Sequence, residues 1–200
     1  LAAKGPDTLR AWNVETGQIV AAIDGSLGDA TFAAGGRVLV AVIVKGKDYE
    51  IGFHDLAHPD RSPRSFPGMF RAFSLAVSPA GGMVAATDSG KVRLFDPAKS
   101  ESIEPPLHGH LNPVYSIGFS PDGRRLISAS GGREVVKLWD VGTRLELLTL
   151  GGTGSLLWEA RWSADGDVIL AGPPWQAWSA PSWEEIAAAE VKDIPAIKPP

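Results

Sequence analysis

"FSPDGRRLISASGGREVVKLWD", Phe119 to Asp140, holds a turn, an apolar run, a second turn and a Trp-Asp pair within 22 residues. Pro121 presets φ for the first turn, and Gly123 accepts the positive φ that other residues resist. "VYSIGF" (Val114 to Phe119) runs into that turn with apolar residues alternating with small or polar ones, as a strand does. "RRLISAS" reads as a second strand, "GGRE" as the next turn, "VVKLWD" as a third strand and "LELLTL" (Leu145 to Leu150) as a fourth. The unit is therefore predicted to be a four-stranded antiparallel sheet.

The unit recurs. The aromatic that closes the third strand appears as Trp12, Phe53, Phe95, Trp139 and Trp178, at steps of 41, 42, 44 and 39 residues. The turn ahead of it appears as "FAAGGR" from Phe32, "VSPAGG" from Val77, "FSPDGR" from Phe119 and "WSADGD" from Trp162, at steps of 45, 42 and 43. Two independent markers thus keep nearly one period. A single short sheet buries too little on its two faces, whereas sheets stacked about an axis bury both. A β-sandwich would also show closely spaced strands but has no reason to restart about every 42 residues. The expected fold is an all-β propeller of about four and a half blades. They divide as a blade part over 1–25, blades over 26–66, 67–109 and 110–152, a final blade over 153–190 and a tail over 191–200. The chain is expected to start at "TLRAWNV", the third strand of its blade, and to carry one short helix near Ser182 to Glu190.

Bulk composition narrows the functions. Of 200 residues, 44% are apolar and 21% charged, ordinary for a globular chain, and the net charge of −4 argues against a general nucleic-acid binder. There is no Cys, so disulfides, thiolate zinc sites and Cys nucleophiles are excluded. The longest apolar run, Val38 to Val44, is far too short for membrane insertion as a helix. No signal-like stretch opens the chain, and the cytoplasm is the favoured compartment.

With these markers in hand, "LHGHLNPVYSIGFSPDGRRLISAS…VVKLWDVGT" resembles a WD repeat of the WD40 β-propeller family, closely over 107–149 and more loosely in the other copies. The resemblance implies a structural hydrogen-bond set made by His110, Ser128 and Trp139, with Asp140 completing the Trp-Asp pair. The family's turn Asp has no counterpart, because Arg133 and Glu134 occupy that stretch. Copies ending in Phe53 or Phe95 have no indole N–H to donate and are expected to rely on apolar packing. The loose copies are more similar to bacterial arrays, and "WSAPSWEEIAAAE" (Trp178 to Glu190) resembles the last blade and C-terminal helix of such arrays, often fused behind a kinase or other signalling module. Starting on Leu1 and holding fewer than the roughly seven blades common in the family, the chain is expected to be the C-terminal portion of a larger propeller.

No reactive constellation stands out. His108 and His110 would share a strand face but lack a third ligand, and Gly109-His110 explains the second of them. "DSGK" (Asp88 to Lys91) and "GGTGS" (Gly151 to Ser155) lack phosphate-loop spacing and read as hairpin turns. Asp165-Gly166-Asp167 falls on the repeat's own turn, and Glu184 and Glu185 diverge on a helix. No catalytic residue, metal or cofactor is assigned. The leading reading is a protein-interaction scaffold that docks a protein partner or a domain of the same polypeptide. One alternative is a propeller enzyme with carboxylates around the central channel, and another is a structural spacer. The expected contact surface is the rim carrying the loops between second and third strands and between blades: Lys45, Lys47, Met69, Phe70, Arg71, Asn112, Arg133 and Trp175. Such mixtures of aromatic, cationic and flexible apolar groups dominate interface energetics. An open array is also expected to leave strands of the "VLVAVIV" type poorly covered and to oligomerise through open blade edges.

Overall fold

A computed structural model describes residues 2–5, 8–25, 27–152, 154 and 156–179. They build five antiparallel sheets. The first contains β1 (Ala2–Lys4), β2 (Thr8–Trp12) and β3 (Ile19–Asp24). The second contains β4 (Leu27–Ala33), β5 (Val38–Lys45), β6 (Asp48–Asp55) and β7 (Arg64–Met69). The third runs through β8 (Leu75–Val77), β9 (Val84–Asp88), β10 (Lys91–Asp96) and β11 (Glu101–His108). The fourth runs through β12 (Ser116–Phe119), β13 (Arg125–Ala129), β14 (Glu134–Asp140) and β15 (Glu146–Gly151). The fifth contains β16 (Glu159–Trp162), β17 (Val168–Gly172) and β18 (Gln176–Ser179). Strands pair in sequence order within every sheet, which is the up-and-down meander of a propeller blade. The first strands β4, β8, β12 and β16 neighbour one another in turn, so they form the inner wall. The first sheet holds one strand more than expected, because Ala2–Lys4 pairs with Leu9–Ala11 of β2. The helix expected near Ser182 to Glu190 lies outside the described residues.

Apolar side chains fill the space between neighbouring sheets. Val38, Val40 and Val42 of β5 pack with Phe53 and Phe95 between the second and third sheets. On the other face of β5, Leu39 and Ala41 pack with Leu9, Ala11 and Ile23 of the first sheet. The strand expected to be poorly covered is therefore buried on both faces, because the three-stranded first sheet shields it. Trp139 lies with Val92, Leu94 and Leu107 between the third and fourth sheets, and Ile127, Val136, Ile169 and Ala171 fill the next interface. Phe53, Phe66 and Phe95 make a triangle with ring centroids 5.1–5.7 Å apart. Apolar packing of this kind holds the blades that lack the indole.

The turns between first and second strands repeat one device. Gly81, Gly123 and Gly166 have φ of 70°, 70° and 83°, the left-handed region that a Cβ disfavours. Their N–H groups donate to Ser78, Ser120 and Ser163 carbonyls at 2.7, 2.8 and 3.0 Å. The same serines' hydroxyls accept from the N–H of Met83, Arg125 and Val168 at 2.9–3.0 Å. A second device follows the third strands. Asn13, Asp55, Asp96 and Asp140 each accept, through Oδ1, an N–H two or three residues on. The Trp-Asp pair thus splits its tasks: the indole fills the core while the carboxylate shapes the turn.

Candidate functional site

The hairpins between second and third strands meet the blade-to-blade junctions along one rim. Phe70 N–H donates to Asp88 Oδ1 at 2.7 Å, and Phe73 N–H donates to Thr87 Oγ1 at 2.7 Å. Val114 N–H reaches Ser89 O at 2.6 Å, and Leu157 N–H reaches Ser130 O at 2.9 Å. Asp88 is buried, and Lys91 Nζ lies 3.3 Å from its other oxygen. "DSGK" is accordingly the tight turn joining β9 to β10, with Asp88 latching the junction. Gly90 leaves no room for a side chain: a Cβ would come within 2.6 Å of the His110 carbonyl oxygen.

The expected contact residues divide along this rim. Phe70 is 52% exposed, and the Arg71 guanidinium stands 5.6 Å from its ring centroid, a cation–π distance. Asn112 and Arg133 line one small concavity with Leu111, whose side chain is 91% exposed. Asn112 Nδ2 is spent on Gly131 O at 3.0 Å, so its amide clamps the hairpin. Lys45 pairs with Glu50 at 2.6 Å on its own hairpin, and Lys47 is exposed at the turn. Trp175 is 57% exposed and lies over Gly172 of its own hairpin. Met69 does not belong to the surface. It is 2% exposed inside the cluster around Phe53 and Phe95. A register shift in the pairing of β6 with β7, where Gly68 takes φ of 77°, turns its side chain into the core.

An unexpected group lies beside these residues. Phe73, Tyr115 and Trp158 form a continuous row, with ring centroids 5.2 Å and 4.5 Å apart. Trp158 is 55% exposed and Phe73 is also exposed. Each precedes Val77, Phe119 or Trp162 of the repeat marker by four residues, at the entrance to an inner strand. That phase was readable in the sequence. The fourth member of the series is Gly28, where a Cβ would come within 2.9 Å of Val42 Cγ1.

His110, Ser128 and Trp139 converge below the rim. Trp139 Nε1 donates to Ser128 Oγ at 2.8 Å, and His110 Nε2 lies 2.6 Å from the same oxygen. Burial, reinforced by the Lys137 charge, pushes the His110 imidazole down to about 4, so it is neutral at pH 7. Its buried Nδ1 has no partner among the described residues, as the missing turn Asp would leave it. His108 closes β11 and faces solvent, so the two histidines do not share a strand. Among the described residues, no three His, Asp or Glu side chains group as metal ligands.

A meander of four-stranded blades with a Trp–Ser–His bond set is the architecture of a WD-type propeller. The family model described as WD domain, G-beta repeat matches residues 102–140. WD repeat-containing protein SL1-17 of Schistosoma mansoni is 32% identical over 133 residues, covering 65% of this chain and 42% of that protein. An uncharacterized WD repeat-containing protein of Synechocystis sp., sll1491, is 31% identical over 134 residues, 62% of this chain and 36% of its own length. Transcription initiation factor TFIID subunit 5 of Caenorhabditis elegans is 31% identical over 83 residues, 42% of this chain and 12% of that protein. A chain of the mitotic checkpoint complex superposes with a TM-score of 0.73 at 17% identity, covering 89% of this chain and 56% of that one. Residues 102–140 thus match a WD repeat, and the chain is similar to WD repeat-containing proteins over about two thirds of its length. It spans less than half the length of these curated relatives.

Proposed function

We propose that the propeller is a docking platform whose hairpin-and-junction rim holds a protein partner or another domain of its own polypeptide. The observation that carries this reading is the aromatic row Phe73–Tyr115–Trp158, exposed at Phe73 and Trp158, with the exposed Phe70–Arg71 pair on the same junction as Phe73. Rigid aromatic rings with a nearby guanidinium offer large contact area at small entropic cost, the usual makeup of an interface hot spot. Two of the similar proteins are named for multiprotein assemblies, a transcription initiation factor and a checkpoint complex, which agrees with docking as the task. Catalysis is the weaker alternative. Asp55, Asp96 and Asp140 each hold a turn after a third strand, and Asp122 and Asp165 are engaged by Ser120 and Ser163 within the other turns. The test is to capture a partner with the native full-length protein, then change Phe73, Tyr115 and Trp158 to Ala. Capture is expected to fall at least about tenfold, the equivalent of one hot-spot residue or more. Undiminished capture by a triple variant that melts like the parent would refute the assignment.

A further inference from the structure

Two donors on the aromatic row are unspent. Among the described residues, neither the Tyr115 hydroxyl nor the Trp158 indole N–H has a hydrogen-bond partner. Trp158 is exposed and Tyr115 half-buried. The indoles that face other blades behave differently: Trp139 Nε1 donates to Ser128 Oγ, and Trp162 Nε1 donates to Gly118 O at 3.1 Å. Successive rings of the row tilt by 37° and 49°, so they present a notched surface and not a flat wall. At the Phe73 end stands Arg71, which forms no ion pair among the described residues. The carboxylate of that junction, Asp88, is already held by Phe70 N–H and Lys91.

Building on the docking function proposed above, we propose that the row receives a proline-rich segment of a protein partner in the polyproline II conformation. That helix advances about 9 Å in its three-residue turn. The row has the same reach when its two ring-to-ring steps are laid end to end. Prolines three residues apart therefore meet the rings of Phe73 and Trp158, with Tyr115 between them. Polyproline II has no internal hydrogen bonds, so its carbonyls need outside donors. The Tyr115 hydroxyl and the Trp158 N–H are free to serve them. An α-helix spends its carbonyls internally and would leave both donors unmet. A strand adding to a sheet would follow one edge, whereas the row crosses from blade to blade at the entrances to β8, β12 and β16. Arg71 then favours an acidic residue just beyond the proline that meets Phe73.

The test uses the native full-length protein and two fluorescein-labelled peptide mixtures, one with proline fixed at every third position and one with alanine there. Other positions are degenerate, and each mixture is made with acidic ends and with lysine ends. Fluorescence anisotropy is expected to show the proline mixture binding at least about tenfold more tightly than the alanine one. Phe73→Ala and Trp158→Ala should each weaken it about tenfold. Tyr115→Phe and Trp158→Phe keep a ring but remove a donor, and each should weaken it about threefold or more. Arg71→Gln should remove the advantage of acidic ends over lysine ends. Equal or tighter binding of the alanine mixture, which favours an α-helix, would overturn the proposal. Undiminished binding by the Phe73→Ala, Trp158→Ala double variant would overturn it too. If capture of the native partner depends on the row while the two mixtures bind alike, the docking function stands and its polyproline ligand falls. If neither capture nor peptide binding depends on the row, both fall.

Discussion

Ser128→Ala tests whether the Trp–Ser–His bond set holds the fourth blade. Ser128 is fully buried, and its Oγ serves two ring nitrogens, Trp139 Nε1 at 2.8 Å and His110 Nε2 at 2.6 Å. Removing one oxygen therefore orphans two buried polar groups. Each costs about 1–3 kcal/mol when it is left unpaired away from water. The loss is expected to be about 2–4 kcal/mol, allowing for partial relaxation. For a chain of this size that lowers Tm by roughly 5–15 °C. Urea unfolding followed by circular dichroism gives the free energy directly, provided the slope m is unchanged. The decisive control is the background variant Trp139→Phe, which has already lost the indole N–H. There Ser128→Ala orphans only the imidazole, so its cost should shrink by about 1–2 kcal/mol. If the two substitutions add to within about 0.5 kcal/mol, the shared oxygen is not the link. A Ser128→Ala cost below about 0.5 kcal/mol would refute the reasoning altogether.

Two further outcomes follow from the same burial pattern. His110 ionises near 4 in the folded chain against an ordinary value of 6.5, because burial disfavours the imidazolium. The unfolded chain then takes up a proton as pH falls through 6.5 while the native chain does not. Stability should be full above about pH 6.5 and drain by about 3 kcal/mol towards pH 4, with half-buried His54 adding in the same direction. Urea titrations between pH 7 and pH 4 check this, and a flat profile, or a slope no shallower in His110→Gln than in the parent, contradicts it. Met69→Ala should cost about 2–5 kcal/mol and Lys47→Ala under about 0.5, since one empties the core and the other trims a solvated turn. Equal costs would put Met69 back on the surface.

The propeller was legible because its turns and its core report the same period independently. A glycine is needed where φ is positive at 81, 123 and 166, and a large ring is needed where two sheets meet at 53, 95 and 139. Neither demand depends on the details of the other copies, so degenerate repeats still show both. What escaped depends on partners outside the local pattern. β1 is "AAK", with no alternation of its own, and forms because β2 offers it an edge. Met69 reads as a junction residue after Pro67-Gly68. A register shift that no periodicity announces sends it inward instead. His110 and Trp139 were readable as a bonded set only through the resemblance, since the residues that meet are far apart in sequence.

The aromatic row proposed as the docking surface follows the same repeat as the fold. Position 28 of the series is glycine, pressed against Val42, and the second blade forms around it without a ring. The architecture therefore does not require an aromatic at the entrance to an inner strand. Yet Phe73, Tyr115 and Trp158 occupy that place in three successive blades and stack in a continuous row instead of withdrawing into the core. Leaving Phe73 and Trp158 half in water forgoes part of the gain that burying such rings would bring. A partner covering the row would recover that gain, which is the physical argument for the proposed docking at residues that the blades themselves can do without.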